Sequence, residues 1–382
     1  MTDKLFYFTN APFHAARHVP NLPDGHPARR RHGHSFTARV RAQLPADWAQ
    51  FAGAATGQLS AVLTEQVAAL NYCDLNEIMP LPNDAALAMW LRERLALPGL
   101  VQLGVDSTAD QGAVVSERGE IELWRRWRFE AAHRLPNVPA GHQCGRMHGH
   151  GFEVIVHAEK SPPPPLFQRG EEEKSPLFAK RLKSPPLAKG GWGDLFNNLD
   201  ALWQPFHAEL HHACLNDISG LENPTSELLA QWLWQRLAPQ LPTLRRVTVC
   251  ETATAGCHYD GQQFRIWKEQ RFESAVQFPD APAGDGRRRL HGHSYLLRLL
   301  LSAPLDAVLG WTVDYGDVKA LFTPVYRQLD HHRLDQLPQL KNADPIELAR
   351  WIRREIAGVL PALDGIEIEE TPGCGAGLWW TN

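Results

Sequence analysis

Cysteine is scarce: six residues in 382, at positions 73, 144, 214, 250, 257 and 374. They are too few and too scattered for a disulfide scaffold, so a reducing compartment, the cytoplasm, is expected. No run of 18 apolar residues occurs, which excludes a membrane-spanning helix. The opening MTDKLFYFTNAPFH has neither an apolar core segment nor a small-residue cleavage site, so no secretory signal is expected. An excess of positive charge is also missing. Thirty-nine Lys+Arg against 43 Asp+Glu leave −4, and neither a nucleic-acid nor a membrane partner is expected. What remains is a globular composition, 43% apolar and 21% charged, on a chain too long for one ordinary core.

The chain repeats itself. His-Gly-His stands at 32–34, 148–150 and 291–293, each time followed by an aromatic residue and an apolar strand pattern. Upstream of each lie FHAARHVPNLPDGH, FEAAHRLPNVPAGH and FESAVQFPDAPAGD. Downstream come LNYCDLNEI, LHHACLNDI and LDHHRLDQL, then VDSTADQGA, CETATAGCH and EETPGCGAG. Four blocks in one order make a tandem triplication. The units are expected at 1–120, 121–268 and 269–382. The second interval between tripeptides is the longer, by a Pro-, Gly- and Lys-rich segment at about 161–194 expected to be a disordered insertion. Each unit reads as α+β: two strands, two helices, then closing strands. In the second unit helices are expected at Phe196–Ala213 and Glu227–Leu237, and closing strands at Arg246–Thr252 and Gln263–Lys268. Lone sheets of this size leave exposed edges, so three units closing into a pseudo-threefold barrel are expected.

On a strand, residues i and i+2 share a face, so His148 and His150 form a two-imidazole claw. By itself such a pair is equally a hydrogen-bonded couple at a strand end. His133, fifteen residues earlier and on the expected neighbouring strand, completes three His without a fourth protein ligand, the pattern of a catalytic zinc site with one open position. The same offset gives Arg17 and Val276 in the other units, so no metal is expected there. His18 is one place out of register, and only a bulge would rescue it. Cys144 stands four residues before His148, beside Arg146, where a cation would favour the thiolate; its counterparts are Ala28 and Arg287. The other five cysteines read as packing residues. The Arg runs at 29–31 and 287–289 read either as solvated loop faces or as seam cations that hold a triphosphate.

FEAAHRLPNVPAGHQCGRMHGH, LNDISGLENPTSE and CETATAGC strongly resemble the 6-pyruvoyl-tetrahydropterin synthase / 6-carboxytetrahydropterin synthase family. The resemblance covers the second unit except its insertion, and weaker forms of it cover the other two. It implies the tunnelling (T) fold: four antiparallel strands backed by two helices per unit, three units to a twelve-stranded barrel, and two barrels stacked, here a homodimer of pseudo-trimers. It implies zinc on His133, His148 and His150, a catalytic thiol at Cys144, and Glu251 gripping the pterin. The family's Asp-His relay falls on Asn71-Tyr72, His211-His212 and Asp330-His331, intact only in the third unit.

The family builds its site between neighbouring subunits, so the resemblance implies one composite site at the 2/3 seam, with Cys144 and zinc from one unit and Asp330 and His331 from the next. The alternatives are a site within the second unit using His212, or no surviving site. Thr225-Ser226 matches a substrate-contacting pair expected to arrive with the relay, yet the third unit has Asp344-Pro345 there. The implied reaction converts 7,8-dihydroneopterin triphosphate to 6-carboxytetrahydropterin, acetaldehyde and triphosphate, a step of queuosine biosynthesis. The other branch stops at 6-pyruvoyltetrahydropterin. The rival from another class is a non-catalytic pterin-binding or assembly protein.

Overall fold

Alternating apolar residues and regularly spaced turn segments make long two-faced strands, and these strands close on themselves. The computed structural model describes residues 3–160, 192–340, 342–356 and 358–380. The first unit comprises β1 (Lys4–Arg17), β2 (His32–Ala42), α1 (Ala55–Ala68), the short α2 (Leu75–Ile78), α3 (Asp84–Arg94), β3 (Leu100–Thr108) and β4 (Gln111–Ser116). The second comprises β5 (Ile121–His133), β6 (His148–Lys160), α4 (Trp192–Leu210), α5 (Ser226–Leu237), β7 (Leu244–Thr252) and β8 (Ala255–Tyr259). The third comprises β9 (Phe264–Val276), β10 (His291–Leu301), α6 (Tyr315–Leu329), α7 (Pro345–Ile356), β11 (Leu363–Thr371) and β12 (Cys374–Trp379).

The twelve strands form one closed antiparallel barrel in sequence order, with β12 returning to β1. Closure removes every sheet edge. The units meet at three seams: β4 with β5, β8 with β9 and β12 with β1. The strand expected at 263–268 is the beginning of β9, which pairs with β8 from Tyr259–Phe264 to Ala255–Lys268 and then runs on to Val276. The expected boundary after 268 therefore falls inside a strand. The expected insertion lies outside the described residues, except that its last three residues open α4.

On the outer face, Phe129, Phe152, Val154 and Val156 pack under Leu199 and Trp203 of α4 and Leu229 and Leu233 of α5. Inward-facing residues of other strands are paired as well: Glu367 of β11 accepts from Arg298 of β10 in its own unit (3.2 Å) and from Arg41 of the first unit (3.1 Å). A strand committed on both faces has its register fixed. The helix expected to reach Ala213 stops at Leu210, because His212 turns to φ 61°. Tyr72 and His331 occupy the same place with φ 56° and 60°. In each unit the backbone N–H of that residue donates to a first-strand carbonyl at 2.6 Å, on His14, Glu130 or Glu273. Among the described residues no helix is long and apolar enough to cross a membrane, and all six cysteines are free.

Trp203 stacks on Trp127 (5.0 Å between centroids) and abuts Phe129, tying α4 to β5. Trp203→Ala should cost about 3–5 kcal/mol of stability, read from denaturant unfolding. A loss below about 1 kcal/mol would mean that this contact does not hold the helix layer.

Candidate functional site

β5 and β6 set His133 directly opposite His148, and His150 two residues on. Gly149 between them eases the close approach, since a Cβ there would sit a tight 3.3 Å from the Ala131 carbonyl oxygen. The Nδ1 atoms of His133 and His148 face the carbonyls of Pro224 (3.1 Å) and Arg146 (2.7 Å). Those carbonyls can only accept, so both rings carry the proton on Nδ1 and leave Nε2 as a lone pair. The Nε2 atoms of His133 and His150 are buried without a hydrogen-bond partner among the described residues. Burial holds His133 below the ordinary imidazole range, opposed by Glu251, and so keeps it neutral. Inward-facing imidazole nitrogens that converge on one point, those of His133 and His148 left unprotonated, are what a divalent cation needs, and the three His suit zinc.

The structure adds Glu251 to this group. Its Oε1 lies 3.2 Å from His150 Nε2 and 3.6 Å from His133 Nε2, and the four ligand atoms lie within 4.8 Å of one another. Burial would raise the Glu251 carboxyl, but the imidazoles outweigh it and hold the group below its ordinary range. The site thus has a carboxylate within reach of the three His, where spacing alone found no fourth protein ligand.

A cavity of about 720 Å³ opens beside the cluster. The second unit lines it with Cys144, His148, His150, Thr225, Ser226 and Glu251, and the third with Lys268, Trp311, Asp314, Tyr315 and Lys319. Contacts from the start of α5 help to stitch this seam. Thr225 Oγ1 donates to Gly310 O (2.5 Å), and buried Glu227 accepts from Thr312 N (2.8 Å). Ser226 Oγ meets Tyr315 OH (3.1 Å), and Asn223 donates to Leu309 O (2.8 Å). Thr225-Ser226 therefore belongs with the metal cluster of its own unit, not with the relay of the next. Thr225 caps α5, and Pro224 beside it receives His133.

Cys144 sits in a tight turn, Gln143–Gly145, whose cap is His142. His142 Nδ1 accepts from the Cys144 N–H (3.2 Å), so its proton is on Nε2 and donates to Asp314 of the third unit (3.0 Å). This pair escaped sequence reasoning, although His142 is in the string AGHQCGRMHGH and Asp314 caps α6. The protein groups around Cys144 work against the thiolate: burial, Glu251 and Asp314 all push its thiol up. A divalent cation in the cluster would act in the opposite direction, and the expected thiolate bias rests on it.

The relay residues lie at the seams but do not line the cavity. Beyond Lys268, the β9 edge left by β8 is taken up by the 331–333 segment, which sets Asp330-His331 at the 2/3 seam. By the same register His212 stands at the 1/2 seam, 3.4 Å from Glu130. His331 Nδ1 lies 2.9 Å from Asp330 Oδ2, and its ring is 76% exposed.

The other two seams are built differently. In the first unit Arg17 stands opposite His32 with no bulge, so His18 stays out of register. Buried Arg17 pairs with buried Asp84 (2.7 Å), which also accepts from Ser107 (2.7 Å). At the 3/1 seam Arg287, the counterpart of Cys144, donates to Gly53 O (3.2 Å) and lies over Phe51. Glu370, the counterpart of Glu251, is buried against Thr56.

Two outcomes are expected. His148→Ala should remove about one bound zinc per chain, measured by elemental analysis; retention of stoichiometric metal would overturn the ligand set. Burial, chiefly, pushes Glu370 up to about 7 from 4.5. The folded state then holds this proton more tightly than the unfolded chain does. The stability so gained is complete below about pH 4.5 and lost as pH rises through about 7, on the order of 3 kcal/mol. Glu370→Gln should flatten the fall in Tm over that window, and an unchanged slope would remove Glu370 as its source.

The family model described as 6-pyruvoyl tetrahydropterin synthase matches residues 122–262 and again 265–379. A 6-carboxy-5,6,7,8-tetrahydropterin synthase of Synechocystis sp. is 34% identical over 140 residues, 36% of this chain and 91% of that protein. The solved 6-pyruvoyl tetrahydropterin synthase of Caenorhabditis elegans is 19% identical with TM-score 0.27, covering 29% of this chain and 92% of its own. That of Plasmodium falciparum is 17% identical with TM-score 0.26, covering 31% and 98%. Matched twice in tandem over more than half of its length, the chain belongs to the 6-pyruvoyl tetrahydropterin synthase family, a lyase-type enzyme family.

Proposed function

We propose that the chain is a zinc-dependent 6-carboxy-5,6,7,8-tetrahydropterin synthase with one composite site at the 2/3 seam. It would take 7,8-dihydroneopterin triphosphate and water to 6-carboxytetrahydropterin, acetaldehyde and triphosphate. The observation that carries this reading is complementarity: His133, His148, His150, Cys144 and Glu251 stand in the second unit, and Asp314, Lys319 and Asp330-His331 in the unit across the seam. The 34% identical relative is named for this reaction, which favours it over the branch that stops at 6-pyruvoyltetrahydropterin.

His133, His148 and His150 would hold the metal. Bound there, zinc would supply Lewis acidity to the oxygens of the substrate side chain, making adjacent C–H and O–H protons easier to remove. Glu251 would accept from the two adjacent N–H donors of the pterin edge, a bidentate match for a carboxylate. Arg146, Lys268 and Lys319 bring positive charge to the same cavity for the triphosphate. Cys144 would take a proton from the side chain, with its turn fixed by His142 and Asp314. His331 would move a second proton at Nε2, its Nδ1 being held by Asp330. Its ring is exposed and does not line the cavity, so in this reading substrate must reach out to it or the ring must swing inward.

Incubation with 7,8-dihydroneopterin triphosphate, with products separated by mass, tests the reaction. Acetaldehyde with 6-carboxytetrahydropterin supports it, and accumulation of the 6-pyruvoyl compound contradicts it. His331→Ala should lower the rate about 10²–10⁴-fold while His212→Ala costs little. The reverse ranking would sink the composite site.

A further inference from the structure

The 1/2 seam keeps a cavity of about 750 Å³, close in size to the one beside the His cluster, although its metal ligands are gone. Three replacements there fit one another. Arg17 stands for His133, Asp84 for Ser226 and Ser107 for Glu251, and together they form a buried Arg–Asp–Ser network. The network is hydrogen-bonded through Arg17 Nη1, Asp84 and Ser107, and only 4% and 2% of its Arg and Asp are exposed. A fixed guanidinium has taken the place of an exchangeable cation.

The acids that line this cavity are already spent. Asp84 is held by Arg17, and Asp200 is held by both ends of the Arg125 guanidinium (2.8 and 3.0 Å). Arg30 at the rim has no ion pair among the described residues, and Arg31 beside it pairs with Asp74 (2.7 Å), which does not line the cavity. Two buried donors in the wall, Arg17 Nε and Asn83 Nδ2, have no hydrogen-bond partner among the described residues. Burial, then Arg17 and His32, hold His34 down to about 4, as expected in a positive field. Space, surplus positive charge and unused donors coincide here.

We propose that the 1/2 seam is a metal-independent binding site for a small phosphate-bearing anion, with Arg17 at its floor and Arg30 and Arg31 at its rim. Guanidinium groups present paired N–H donors that match phosphate oxygens, and cations at both floor and rim suit an anion of several charges better than a lone carboxylate. The inference stands apart from the reaction proposed for the 2/3 seam, since it concerns binding alone.

Calorimetric titration of the metal-stripped protein with inorganic triphosphate tests it. Saturable binding should survive chelation, weaken about tenfold or more in Arg30→Ala/Arg31→Ala, and fall as salt rises. Both arginines are exposed, so that variant should fold, and its product formation should be unchanged. Lys268→Ala/Lys319→Ala, at the other seam, should leave the same binding event intact. Absence of saturable binding, an unchanged isotherm in the arginine variant, or loss of binding in the lysine variant would each overturn the proposal. The last would assign the anion to the 2/3 cavity instead. A parallel arm with neopterin triphosphate separates the sources: equal affinity means the phosphates suffice, and much tighter binding means that the pterin is also recognised.

Discussion

The pairing of β8 with β9, ending where Ala255 faces Lys268, is the contact on which the site depends. It stops short, and the hairpin before it leaves Glu251 and Thr252 facing a cavity whose far wall is the next unit. In the proposed site neither unit suffices alone. The second brings soft nitrogen ligands, a thiol and a carboxylate. The third brings an aromatic wall, lysines and an Asp-His pair. Because the barrel is one continuous chain, this neighbour relation is fixed covalently, and each seam is free to hold different chemistry.

The three seams show three solutions to one electrostatic problem. A buried carboxylate or imidazole cluster at the strand ends needs a cation or a proton. At the 2/3 seam His133, His148, His150 and Glu251 are arranged around a space that suits a metal ion. At the 1/2 seam Arg17 is that cation, permanently attached and matched by Asp84. At the 3/1 seam Val276 replaces the ligand, Arg287 turns toward Asp285 and Phe51, and Glu370 is left to hold a proton.

Much of this was legible in the sequence, because repetition is read without knowing the fold. Four blocks in register gave the three units, and alternation after each His-Gly-His gave the strands. Closure followed from the edge argument. What stayed hidden depends on contacts between distant segments. The start of β9 was misread because one strand serves as the end of one hairpin and the floor of the next seam. Thr225-Ser226 was assigned to the wrong partner because only packing shows that α5 begins beside His133. The His142–Asp314 link spans 172 positions and carries no periodic signal. The state of Cys144 could not be read from Arg146 next to it in the chain, since the groups that bear on it are Glu251 and Asp314.

The most direct test of a single composite site is a crystal structure of the zinc-loaded protein with a bound pterin. One pterin per chain is expected, at the 2/3 seam, with its ring edge on Glu251 and its side chain between Cys144 and His331. A pterin seated at another seam, or Cys144 lying nearer to His212 than to His331, would contradict the account.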